Sequence, residues 1–156
     1  MKTNIGISDK NRKEVSTLLA KLLADEFVLY TKTRNAHWNV VGPDFHAMHV
    51  FFEEQYGKLE GFIDDIAERI RSLANPAPGS MKELLAATRL KEEKGELKSS
   101  AEFLKLLLQD HEQVIRQIRE DAPRCEELGD DGSNDFLVGL LEEHEKMAWM
   151  LRSCLA

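Results

Sequence analysis

Eight residues, Met48, Phe52, Tyr56, Leu59, Ile63, Ile66, Ile70 and Leu73, follow one another at steps of three or four without a break. An α-helix turns such steps into one continuous stripe, because three or four residues carry the chain once round its 3.6-residue turn. The rod this makes is roughly 38 Å long. A helix of that length with one apolar side needs other helices to cover it. The chain supplies them. Val15, Leu19, Leu22, Leu29, Thr33, Ala36 and Val40 mark an earlier helix, with Ser8-Asp9 as its cap. Leu104, Leu107, Leu108, His111, Val114, Ile115 and Ile118 mark a later one, opened by the Ser-x-x-Glu capping box of Ser99 and Glu102. Phe136, Leu137, Leu140, Leu141, His144, Met147, Ala148 and Leu151 mark the last.

The breaks between the stripes place the turns. Val41-Gly42-Pro43-Asp44 separates the first two helices, the second starting near residue 44 with Pro43 in its first turn. Asn75-Pro76-Ala77-Pro78-Gly79 ends the second helix, Pro123 ends the third, and Gly129-Asp130-Asp131-Gly132 forms the loop before the fourth. Ser80 to Thr88 reads as a short helix, the charged stretch from Arg89 to Lys98 as a connection, and its charge run from Lys91 to Lys98 as solvated. The expected fold is all-α: a four-helix bundle with a short extra helix between the second and third long helices, forming a single domain over residues 1–156. With 42% of 156 residues apolar, the chain can bury a core without disulfides or a structural metal.

Charge and cysteines narrow the functional classes. Twenty-one Lys and Arg against 28 Asp and Glu give a formal charge of −7, the wrong sign for a surface that coats nucleic acid. Cys125 and Cys154 form no CxxC and are too few for a secreted framework, so a reducing, cytoplasmic setting is expected. The first residues, Met1 to Ile7, lack an apolar leader, and no run of 18 uncharged apolar residues exists, so neither export nor a membrane span is expected.

Chemistry-bearing side chains concentrate between His37 and Glu68. His37 lies six residues before Pro43 and His49 six after it, so a helical hairpin turning there sets the two imidazoles side by side. Glu53, Asp64 and Glu68 lie roughly 40°, 60° and 100° round the second helix from His49, one narrow stripe beside the apolar seam. They share a face but not a place: His49 and Asp64 are about 22 Å apart along the axis, whereas ligands of one metal ion sit within a few Å of it. Either the chain carries two separate half-sites, or an antiparallel second copy brings its Asp64 and Glu68 opposite His49 and Glu53. The second arrangement is the more economical, because a twofold axis near residues 58 and 59 superposes the pairs. Gly57 and Gly61 flank that midpoint and leave room for another backbone.

Two imidazoles and three carboxylates, with no thiolate, suit iron, manganese or zinc and disfavour copper(I) or an iron–sulfur cluster. Anionic oxygens stabilise ferric over ferrous iron, which makes iron oxidation the leading reading. The competing reading is a non-catalytic helical scaffold or dimer whose ligands hold a structural zinc at the seam. Trp38, next to His37, is placed to supply or quench a radical. His46 reads as an accessory contact or a solvated residue, and His111 and His144 as hydrogen-bonded core histidines.

Asn35-Ala36-His37-Trp38-Asn39-Val40, the twelve-residue step to His49, Glu53, and Asp64-x-x-x-Glu68 within Asp64-Asp65-Ile66-Ala67-Glu68-Arg69 resemble the Dps miniferritins of the ferritin-like superfamily. The resemblance covers nearly the whole chain. It implies a hollow dodecamer that oxidises ferrous iron, preferably with hydrogen peroxide, at centres shared between subunits, and stores the ferric product as a mineral. In that family His37, His49 and Glu53 come from one subunit and Asp64 and Glu68 from its twofold mate. Glu53 stands where the family often has Asp, which bears on a second iron position. The resemblance also gives Asp131 and Asp135 the role of lining a threefold pore through which iron enters, with Glu126 in its vestibule. The helix macrodipole alone explains acidic residues at a helix start. DNA binding is expected to be weak or absent, since the N-terminal cations Lys2, Lys10, Arg12 and Lys13 are few and diluted by Asp9 and Glu14. A larger ferritin is disfavoured for want of paired Glu-x-x-His motifs.

Overall fold

The computed structural model describes residues 3–94 and 96–156; Met1 and Lys2 lie outside the described residues. The described chain is helical: α1 Asp9–Asn39, α2 Phe45–Ser72, α3 Met81–Ala87, α4 Ser100–Glu127 and α5 Asp131–Ser153, with no strand among the described residues. Helices α1 and α2 pair as one hairpin and α4 and α5 as another. The hairpins meet through α1 on α4 and α2 on α5, while α3 lies against α1. This is a four-helix bundle with a short fifth helix in its long connection. The core is the set of stripes turned inward: Leu19, Leu22, Leu29, Phe52, Leu59, Ile66, Phe103, Leu107, Ile118, Leu137 and Leu151 are almost wholly buried.

The helix ends have local causes. Ser8 accepts a hydrogen bond from the Asn11 amide at 3.1 Å and starts α1. Ser99 and Glu102 form the full capping box that opens α4, and Ser80 and Glu83 form a second one that opens α3. Pro43 lies ahead of the α2 cap, Asp44, rather than in the first turn. Gly42 takes φ +137° there, and the Phe45 amide bonds back to the Gly42 carbonyl at 3.1 Å. Pro123 does not end α4, which runs on to Glu127. The proline removes one backbone hydrogen bond, but the turn beyond it buries Cys125 and Leu128 against the core, which offsets that loss. Gly129 to Gly132 is likewise not all loop. Asp130 caps α5, and Asp131 and Gly132 already belong to its first turn.

The charged residues described between Lys91 and Lys98 are exposed, whereas Arg89 ahead of them is anchored. Arg89 is anchored to the fully buried Asp25 of α1 through its amide at 2.6 Å and its Nε at 2.8 Å, and it also pairs with Asp121 of α4 at 2.9 Å. Thr88 donates to the same Asp25 carboxylate at 2.9 Å. Lys32 reaches from α1 to Asp110 of α4 and to the Lys91 carbonyl. Where the connection meets the first hairpin, the Val41 amide bonds the Lys98 carbonyl at 2.9 Å. These contacts hold the crossover down on the end of α1 that carries His37.

The core also contains a polar chain across three helices. His111 Nδ1 of α4 lies 3.0 Å from His144 Nδ1 of α5, and His144 Nε2 lies 2.8 Å from Glu26 Oε1 of α1. Burial, and then the neighbouring His144, hold the His111 imidazole well below its usual pKa of 6.5. An unfolded chain therefore takes up a proton below about pH 6.5 that the folded chain refuses, so this contribution to stability is complete above that pH and lost below it. Denaturant unfolding followed from pH 7 to pH 5 should show stability falling by an extra slope approaching about 1.4 kcal/mol per pH unit, absent in His111→Gln. Equal slopes in the two proteins would contradict the assignment.

Candidate metal centre

The turn between α1 and α2 brings His37, in the last turn of α1, against His49, one turn into α2. Their rings stack with centroids 3.7 Å apart and planes 21° apart. Each ring bonds the other residue's backbone: His37 Nδ1 lies 2.8 Å from the His49 carbonyl oxygen, and His49 Nδ1 lies 2.8 Å from the His37 carbonyl oxygen. A carbonyl can only accept, so both Nδ1 atoms carry hydrogen, which leaves Nε2 as the nitrogen of each ring that can offer a lone pair to a metal. An imidazole whose second nitrogen is fixed by a backbone carbonyl is the usual form of a metal-ligating histidine. Here each histidine supplies the other's orienting contact. Phe45 covers the outer side of His49, its ring centroid 5.2 Å away.

Glu53 follows one turn along α2 and is exposed, its Oε1 3.3 Å from the Tyr56 hydroxyl. Partial desolvation, then the Glu53 charge, raises the Tyr56 pKa, which keeps that hydroxyl a donor. Asp64 and Glu68 are exposed farther along the same helix, about 22 Å and more from His49 by the helix rise. The chain therefore brings His37, His49 and Glu53 to one end and leaves Asp64 and Glu68 toward the other. Among the described residues no group of three or more His, Cys, Asp or Glu is close enough to hold a metal ion. Between the two sets, a hollow lined by Phe27, Tyr30, Gly57, Gly61, Ile63 and Asp64 opens on the surface. A Cβ added at Gly57 or Gly61 would meet nothing within 4 Å.

The remaining sequence-predicted residues fall elsewhere. Trp38 is 62% exposed, with its ring 5.1 Å from the Arg34 guanidinium. His46 is exposed at the start of α2. Asp131 and Asp135 are exposed one turn apart at the start of α5, with Glu126 exposed near the end of α4. The start of α5 is fixed by buried Asp130, which accepts from the Ser133 amide at 3.0 Å and hydroxyl at 2.6 Å and from Arg69 at 2.7 Å. Arg69 follows Glu68 on α2, so its guanidinium ties this stretch of α2 to the α5 start. A Cβ at Gly132 would lie 2.9 Å from Arg69 Nη2, so a side chain there would displace the end of that guanidinium. Cys125 is buried and its thiol is pushed up to about 12 by burial and the nearby Asp130 and Asp121 charges, so it stays protonated.

Sequence reasoning missed a cluster beside the histidines. Arg34 bonds the Tyr30 hydroxyl at 2.8 Å and lies over the Tyr56 ring, 4.4 Å from its centroid, while Tyr56 meets His37 edge-on at 5.2 Å. Tyr30, Arg34 and Trp38 recur at steps of four on α1, the signal that they share a face.

Because the Gly57 and Gly61 face is empty within the chain, a larger residue there should be harmless to the fold and harmful only to a close approach by another chain. Gly61→Leu should keep its helical circular dichroism and its melting as a subunit, but elute from gel filtration at lower mass than the unmodified protein. Unchanged elution would show that no second backbone packs on this face.

A model of the ferritin-like domain matches residues 16–156. The chain is 48% identical to a low temperature-induced protein of Nostoc sp., over 96% of this chain and 84% of that one. It is 35% identical to DNA protection during starvation protein 2 of Bacillus anthracis, over 92% of this chain and 97% of that one. Its structure is similar to DpsC from Streptomyces coelicolor, with a TM-score of 0.96 and 27% identity over 100% of this chain and 91% of that one. It is also similar to the Dps protein from Vibrio cholerae O1, described as a member of a broad superfamily of ferritin-like diiron-carboxylate proteins, with a TM-score of 0.94 and 31% identity over 100% of this chain and 98% of that one. With the bundle, its extra helix and these relatives in agreement along nearly the whole chain, the protein belongs to the Dps family of miniferritins within the ferritin-like superfamily.

Proposed function

We propose that this chain is the subunit of a hollow dodecamer that oxidises Fe(II), preferably with hydrogen peroxide, at centres completed by two copies, and stores the Fe(III) product as a mineral. The observation that carries this reading is the stacked His37–His49 pair at the α1–α2 turn, each Nδ1 held by a backbone carbonyl, while Asp64 and Glu68 lie too far along α2 to serve the same ion. His37, His49, Asp64 and Glu68 bind ferrous iron as substrate, and Glu53 completes a second position. Asp131 and Asp135, with Glu126 behind them, lead iron inward, and Trp38 is the neighbouring residue for a stray electron. Two Fe(II) ions each give one electron to one hydrogen peroxide, whose O–O bond breaks to two hydroxides. The pairing consumes peroxide in a two-electron event and leaves no hydroxyl radical. Family membership at the level of iron storage and protection supports this reading.

The setting proposed is the cytoplasm. No helix among the described residues is long and apolar enough to cross a membrane. We also propose that DNA is bound weakly or not at all. Of the N-terminal cations, Arg12 is buried and spent on the Leu73 and Ile7 carbonyls and on Asp9, which leaves Lys10 and Lys13 among the described ones. Lys2, outside the described residues, adds one charge in the sequence.

His49→Ala and Asp64→Ala, each inactive alone, should regain ferrous oxidation by peroxide when dissociated and reassembled together. One site of a mixed pair then carries both lesions and the other none. A mixture that stays inactive after verified reassembly would overturn the shared centre, and metal uptake without any oxidation would favour the structural-zinc scaffold.

A further inference from the structure

We propose that Tyr56, held in place by Arg34, is a positioning residue for the Glu53 carboxylate at the second iron position; this rests on the iron-centre reading above. Glu53 is exposed, and no cation pairs with it among the described residues. It carries one more side-chain torsion than an aspartate, so without a partner its carboxylate would sample several rotamers about the helix. Tyr56, three residues on and on the same face, is the group that limits it, with its hydroxyl 3.3 Å from Glu53 Oε1. That separation is longer than the usual O–H···O distance, which tethers the carboxylate while leaving it free to swing onto an ion. A neutral hydroxyl also guides the carboxylate without neutralising it, as a lysine or arginine partner would.

The same ring touches the other half of the site. Tyr56 meets His37 edge-on, with centroids 5.2 Å apart and planes at 80°, so one side chain registers a proposed ligand on α1 against a proposed ligand on α2. Arg34 fixes that ring from α1. Its guanidinium lies 4.4 Å from the Tyr56 centroid and is itself held by the Tyr30 hydroxyl at 2.8 Å. Tyr30 closes the set, edge-on to Tyr56 at 6.1 Å. The longer Glu53 side chain and its tyrosine tether thus work as a unit.

Co(II), which peroxide-free buffer leaves in one valence state, tests this by calorimetric titration of the assembled protein. The unmodified protein should take two Co(II) per site. Tyr56→Phe keeps the ring against His37 and should leave the tighter step within twofold while weakening the second about tenfold or more. Arg34→Met, which removes the charge over the Tyr56 ring, should weaken the second step. Adding Tyr56→Phe to Glu53→Ala should cost nothing beyond Glu53→Ala alone, because the tether then has nothing to hold. An unchanged second step in Tyr56→Phe, equal weakening of both steps, or additive losses in the double variant would overturn the positioning role alone. A single Co(II) per site in the unmodified protein would overturn it too. No Co(II) uptake at all would overturn the iron-centre reading and this inference with it.

Discussion

The unbroken length of α2 governs the rest. A regular helix from Phe45 to Ser72 separates His49 from Asp64 by about 22 Å, and no side chain bridges that gap. Under the proposed reading, what these residues do together they do with a second copy. The chain is shaped accordingly. The near half-site is rigid, because His37 and His49 lock each other through two backbone carbonyls; the far carboxylates are exposed; and the glycine-bearing surface between them is left bare. The two hydrogen bonds also weld the end of α1 to the start of α2, so the geometry of the ligands and of the hairpin have one cause.

The ionic contacts inside the bundle serve the same end. Asp25 with Arg89 brings the long connection down onto α1, and Lys32 with Asp110 ties α1 to α4. Asp130 with Arg69 and Ser133 holds the start of α5 to α2 beside Glu68. Buried pairs of this kind contribute little net stability, but removing one partner is costly, so they specify where the elements sit more than how tightly they hold. Here they set the connection and α4 against α1, and the far end of α2 against α5.

The helices were legible in the sequence because the stripes repeat with the period of the helix, and the Ser99–Glu102 box lies within four residues. The side-by-side placement of His37 and His49 was legible for the same reason, since equal steps on either side of a turn place residues level. Pro123 misled because a proline reports only a local loss, whereas the buried Cys125 and Leu128 beyond it decide the outcome. Asp25 and Arg89, 64 residues apart, and Glu26 and His144, on the first and last helices, carry no local signal at all. Tyr56 was hidden differently: its place in the apolar stripe reads as packing, and only the structure shows its hydroxyl at Glu53 and its ring at His37. The convergence of the five proposed ligands stays outside any single chain.

The account's central claim is that one ion is held by two copies of this chain. Crystals grown anaerobically with Fe(II) and measured at the iron absorption edge would locate the metal directly. The account predicts an anomalous peak between Nε2 of His37 and His49 on one side and Asp64 and Glu68 of the partner subunit on the other. Iron bound only by residues of a single chain, or absent from these side chains while present elsewhere, would contradict it.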